Sequence, residues 1–255
     1  MAAAGKKSGS RENCRRNCTG VNSYERNRDE SAAMFSNADL KRLIFPLVIE
    51  QALALTVGMA DVMMVSYAGE AAVSGVSLVD MINVLLINIF AALVTGGAVV
   101  TAQYLGARNR KKACESADQL MVVTIVISIF IMGLTLLFQR PLLRLFFGAI
   151  EDDVMSACIT YLWISALSYP FLAVYNSCAA LFRAMGNSKV SMLVSLAMNV
   201  INVAGNAFFI FTFQMGVAGV ATASLISRVA ACVIMVVLLS NPGHQVFISL
   251  KWEYL

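Results

Sequence analysis

The stretch GMADVMMV sets a carboxylate, Asp61, among apolar and small side chains. An acid at the centre of a membrane helix costs about 2.5–3.5 kcal/mol on insertion scales. Such residues face a bundle interior or a watery cavity, where they handle charge. Glu50, Gln51, Ala54, Gly58 and Asp61 recur at helical spacing, so one side of this segment is polar or small and the rest is Leu, Ile, Val and Met. Glu50 and Asp61 lie about three turns apart and point the same way. Asp61 is therefore the first candidate for binding a cation or proton. Glu50 and Gln51 are candidates for lining or gating a cavity nearer the basic end of the helix.

A second stretch, AMNVINVAGNAFFIF, carries Asn199, Asn202 and Asn206 at spacings of three and four. Three amides then share one helical face. Amides in hydrocarbon need partners, and they serve either as glue between helices or as the wall of a polar cavity. Asp61 lies about 19 residues beyond Arg42, a depth of roughly 28 Å, and Asn206 about 17 residues beyond Lys189, roughly 26 Å. The two can share one site in the outer half of a membrane. Two further charges fall inside apolar runs. Asp80, in VSLVDMINV, sits near the outer surface, where either an interfacial or a cavity position fits. Arg228, in SLISRVAAC, is too deep to reach water easily, and a structural ion pair or a transport role both fit it.

The surrounding chain explains how these residues come to be in hydrocarbon. Of 255 residues, 59% are hydrophobic and 13% charged, and mean hydropathy is +0.74. Soluble domains carry about 25% charged residues, so the composition points to an all-α integral membrane protein. Six apolar spans are expected at about 41–67, 73–103, 115–138, 157–182, 190–213 and 217–240, within a lobe covering 39–241. Segments of this length exclude a barrel, whose strands alternate over about 10 residues. The turns between spans hold Gly, Asn or charges, as antiparallel neighbours need. Pro46 and Pro170 can kink their spans. Residues 1–38 read as a disordered polar cytosolic tail, and 242–255 as a cytosolic stub.

Of the basic residues, about sixteen fall on one side of the membrane and only Arg140 and Arg144 on the other, which puts both termini in the cytosol. Those basic residues flank hydrophobic spans, so a nucleic-acid partner is not expected. Cys14 and Cys18 lack a second ligand pair, and no structural metal is expected. There is no nucleophile–base arrangement and no P-loop, so neither an enzyme nor a cofactor is expected.

The order of LKRLIFPLVIEQALALTVGMADVMMVSYAG, GGAVVTAQYLGARNRKKA, ALFRAMGNSK, NVINVAGNAFFIF and GVAGVATASLISR resembles the N-terminal half of a MATE (multidrug and toxic compound extrusion) transporter over residues 36 to 255. The resemblance implies one lobe of a twelve-helix protein in the inner (plasma) membrane. It implies export of cationic amphiphilic drugs or xenobiotics in exchange for Na+ or H+. Asp61 falls where the family has a coupling acid on the first helix. Asn206 falls where several members have an acid on the fifth, with Asn202 matching an amide one turn earlier. An amide takes up no proton at neutral pH, though its carbonyl can ligate Na+. Asn176 falls near a further polar position of span four. With six spans in place of twelve, the missing partner face is expected from a second six-helix lobe, either a C-terminal half absent from a truncated chain or a second copy. Two other readings remain open. A flippase for lipid-linked polysaccharide would share the helix layout but tends to a cationic cavity, whereas the acids Glu50, Asp61 and Asp80 outnumber Arg228 here. A non-transporting helical membrane scaffold would use the polar stripes as glue alone.

Overall fold

The computed structural model describes residues 37–241 and residue 246, so the tail 1–36 and nearly all of the stub 242–255 lie outside the described residues. The described chain is helical, with no strand. In chain order the helices are α1 (Asn37–Val65), α2 (Glu70–Gly106), α3 (Arg110–Leu137), α4 (Gln139–Phe147), α5 (Asp152–Leu167), α6 (Tyr169–Ala184), α7 (Ser188–Ala207) and α8 (Gly216–Leu239). A short 3₁₀ turn, Ser66–Ala68, follows α1, and a π-helical turn, Phe208–Thr212, ends α7. Five helices are long and apolar enough to cross a membrane, and the bent pair α5–α6 is long and apolar enough for a sixth if the two count as one span. The protein is thus an all-α, multi-pass membrane protein.

Span four is the point where the sequence and the structure differ most. One helix was expected over 157–182. The structure has two, α5 and α6, meeting at 48°. Pro170 causes the break, because it has no N–H to offer the carbonyl four residues back. Ser168 closes the end of α5 locally. Its N–H reaches the Ser165 carbonyl at 3.0 Å and its hydroxyl donates to the same oxygen at 2.6 Å. The second difference is α4, which was expected to be turn. It is amphipathic: Leu143 is buried, with Leu142 and Phe147 packed beside it, while Arg140 and Arg144 stay exposed. The expected spans stopped at the edge of apolar runs. The helices run on into charged turns, as in α3, where the side chain of Asn109 caps the helix by accepting from the Lys112 N–H at 3.2 Å.

The helices α2, α3, α5, α6, α7 and α8 pack closely on one another. Buried side chains from α3, α6 and α8, among them Leu120, Phe182 and Met235, form one core. A second core joins α2, α4, α5 and α8 through Val76, Leu143, Leu162 and Val220. Apolar side chains such as Leu85, Phe130, Leu193 and Val237 are exposed, as a lipid-facing surface requires.

α1 behaves differently. Of its side chains described, only Pro46 and Val65 are buried, and it lacks the close backbone approaches that join the other spans. Its C-terminal turn rests on α2 and α8, and Tyr67 meets Phe211 edge-on with ring centroids 5.4 Å apart. Gly69, at φ +104°, provides the left-handed residue that turns the chain from there into α2.

Candidate functional site

Asp61 and Asn206 meet across α1 and α7. Asn206 Nδ2 donates to Asp61 Oδ1 at 2.5 Å and also lies 3.3 Å from Asn202 Oδ1. Asn202 Nδ2 in turn donates to Ser224 Oγ of α8 at 3.0 Å. The helical spacing of four puts the two amides one above the other, so a single polar file runs from α1 through α7 to α8. Asn206 is fully buried, and its carbonyl oxygen has no hydrogen-bond partner. An unpartnered buried carbonyl is costly, and this oxygen belongs to the same amide that donates to Asp61. The π turn begins two residues later, at Phe208. Such turns break the regular ladder and occur often at functional sites.

Asp80 is half-buried, with partners on its own helix and on α5. Tyr161 Oη of α5 donates to Asp80 Oδ1 at 3.1 Å, and Asn83 Nδ2 to the same oxygen at 3.3 Å. Tyr169 Oη of α6 donates to Asn83 Oδ1 at 2.9 Å. Arg228 of α8 donates through Nη1 to Ser168 Oγ at 2.5 Å, at the bend between α5 and α6. The hydrogen-bond partner of Arg228 is therefore a hydroxyl and not the acid that a structural ion pair would need. Its charge nonetheless reaches Asp61 and Asp80, and Asp80 acts on Asp61.

Glu50 belongs to a separate cluster. Ser191 Oγ of α7 donates to Glu50 Oε2 at 3.2 Å, and Arg183 Nη1 of α6 lies 3.9 Å from Oε1 and 3.2 Å from Ser191 Oγ. Gln51 is exposed. Asn199 is buried one turn from Asn202, and Asn176 half-buried on α6; the Nδ2 of each has no hydrogen-bond partner. The structure thus joins Asp61, Asn202 and Asn206 directly, keeps Asp80 and Arg228 within electrostatic range of them, and sets Glu50 and Gln51 apart.

Because α1 packs so thinly, its two polar contacts carry much of its attachment. Glu50 is the more enclosed partner, its side chain 14% exposed against 32% for Arg183. Glu50→Ala leaves a half-buried guanidinium without its countercharge and is expected to cost about 1–3 kcal/mol. The check is a melting temperature in detergent for Glu50→Ala, Arg183→Ala and the double variant. Additive losses would show that the pair does not hold α1 to α6.

Sequence reasoning missed Asn83, Tyr161, Tyr169, Ser168, Ser191 and Ser224 as polar partners. Asn83 alone left a signal, three residues after Asp80 on the same face. Serine and tyrosine within an apolar run look the same whether they pack or bond.

Comparison with known proteins follows the same lines. The family model described as MatE matches residues 46–208. A curated relative named an uncharacterized transporter, YisQ of Bacillus subtilis, is 32% identical over 88% of this chain and 48% of its own length. A probable multidrug resistance protein, NorM of Thermotoga maritima, is 26% identical over 84% of this chain and 48% of its own. Among solved structures, a MOP superfamily transporter from Pyrococcus furiosus superposes with a TM-score of 0.78 at 23% identity, over 83% of this chain and 47% of that one. The chain spans about half the length of the relatives it matches.

Proposed function

The chain belongs to the MatE family, and from that premise we propose that it forms one lobe of a secondary antiporter whose coupling cation, Na+ or H+, binds at Asp61 in exchange for an exported cationic amphiphile. The observation that carries this reading is the contact of Asp61 with Asn206, whose carbonyl oxygen is buried and unpartnered. The carboxylate supplies charge, and the amide supplies a second oxygen already stripped of water. Asn202 holds Asn206 in place from the next turn and is itself held by Ser224.

The same contact gives a route from ion to movement. Asn206 donates to the oxygen that a cation or proton would claim. Binding there competes with the bond that ties α1 to α7, and α1 has little else along its length to hold it. Ion occupancy would thus bias the position of α1, and with it the cavity that an organic cation shares. Export needs a facing lobe, so the partner is a second set of six helices, from further chain or from a second copy. We place both termini in the cytosol from the distribution of Lys and Arg, with the lobe in the plasma membrane. The names of the relatives that export drugs, and the excess of acid over base in the spans, favour cationic cargo over a lipid-linked anion.

Binding of radiolabelled sodium to the purified 255-residue chain in detergent, at pH 8.5 with choline as the control cation, tests the reading. One saturable sodium per chain, displaced as the pH falls, is expected. A scaffold held together by its polar stripes would bind none at any sodium concentration below about 1 M.

A further inference from the structure

We propose that Arg228 is a fixed internal cation that cancels one of the cavity's two carboxylates, so that the lobe takes up a single monovalent cation; this rests on Asp61 being the ion site. The placement of Arg228 carries the argument. It lies about 18 Å along α8 from Gly216, in the middle of the span, where snorkelling to water is out of reach. A guanidinium at that depth needs a reason and a holder. Its holder is Ser168 Oγ, wholly buried at the bend that Pro170 makes. Within 4.0 Å it forms no ion pair with any described residue. It is thus moored to a neutral hydroxyl. It lies one turn along α8 from Ser224, which ends the file Asp61–Asn206–Asn202, and its holder Ser168 adjoins Tyr169, which holds Asn83 against Asp80, so that its field falls on both acids.

Asp80 is held in a complementary way. Both of its partners, Tyr161 and Asn83, are neutral donors to one oxygen. Neither adds charge, so Asp80 keeps the carboxylate in place without neutralising it. Glu50 is balanced separately by Arg183 about 16 Å down α1 from Asp61, and Asp118, a buried acid of α3, lies a little over two turns from that helix's basic start at Arg110. Two carboxylates and one guanidinium leave the cavity with one net negative charge. Asp61 binds the ion, while Asp80 and Arg228 set how many charges the ion must bring.

Charge counting makes an unusual prediction, namely that one loss repairs another. Asp80→Asn keeps an oxygen for Tyr161 and Asn83 but leaves the cavity neutral. Sodium affinity at pH 8.5 is expected to fall at least about tenfold although Asp61 is untouched. Asp80→Asn combined with Arg228→Gln restores one negative charge, and affinity should return to within about threefold of the unaltered chain. Arg228→Lys keeps the count and should bind one sodium. Arg228→Gln alone leaves two charges and should bind a second sodium, or a divalent ion in its place. Sodium serves here as the probe of charge whichever monovalent ion is physiological.

The proposal is overturned if Asp80→Asn binds as the unaltered chain does, or if the double variant binds no better than Asp80→Asn. A purely structural ion network gives that second outcome, because each added change then weakens the fold further. Size-exclusion profiles confirm that each variant remains a single species. If the unaltered chain neither binds sodium at pH 8.5 nor takes up a proton that Asp61→Asn abolishes, the ion-site reading itself fails. If it binds sodium and only the charge-balance variants disagree, that reading stands and the role of Arg228 falls.

Discussion

Asp61→Asn is expected to weaken sodium binding at pH 8.5 at least about 30-fold. The substitution preserves shape. An amide oxygen at position 61 can still accept from Asn206 Nδ2, so the link between α1 and α7 can survive. Only the charge goes. Two unit charges in contact at an effective dielectric of about 20 attract by about 4 kcal/mol, and each 1.4 kcal/mol is roughly tenfold. Even after half of that energy is lost to water in the cavity, the remainder exceeds every other term in the site. Asn206 and Asn202 offer dipoles, which orient an ion but do not replace a countercharge. Unchanged helicity by circular dichroism would show that the variant still folds. If Asp61→Asn binds sodium within threefold of the unaltered chain, the ion is held elsewhere and the coupling role of Asp61 is lost.

The meeting of Asp61 with Asn206 was legible before the structure because both signals are geometric. Equal depth follows from counting residues from the basic turns, and a shared face follows from the helical period. The apolar, all-helical character was legible for a similar reason, since hydrocarbon demands length and apolarity that nothing else in the chain needs. What escaped were contacts decided by which helices become neighbours. Asp80 was placed near a surface because its depth alone was visible. Its burial in a network came from Tyr161 and Tyr169, which lie about 80 residues away and look like ordinary packing residues. Arg228 was seen as a charge in need of a partner, yet that partner exists only because Pro170 divides span four and leaves Ser168 at the bend. α4 escaped because a nine-residue amphipathic helix is too short for the period to stand out from a turn.

The close crossing of α2 over α5 depends on a missing side chain, and Gly75→Val is expected to break it. A Cβ built on Gly75 would stand 2.8 Å from Ala157 Cβ and 3.2 Å from the Cys158 backbone nitrogen. The second neighbour is backbone and cannot turn aside. Cys158 Sγ meanwhile lies 3.5 Å from the Gly75 carbonyl, so the helices touch main chain to side chain here. Valine adds two methyl groups beyond that Cβ and is expected to cost about 1–3 kcal/mol by overpacking, with melting lowered by about 5 °C or more. Gly75→Ala, with the Cβ alone, should lose less. The effect reaches the site because the register of this crossing places Tyr161 against Asp80, each within about a turn and a half of the contact. Gly75→Val should therefore weaken sodium binding as well as stability, whereas Tyr161→Phe, which leaves the crossing intact, should weaken binding with little loss of melting temperature. If Gly75→Val melts with the unaltered chain, α2 and α5 do not need this approach, and the position of Asp80 is set by its hydrogen bonds alone.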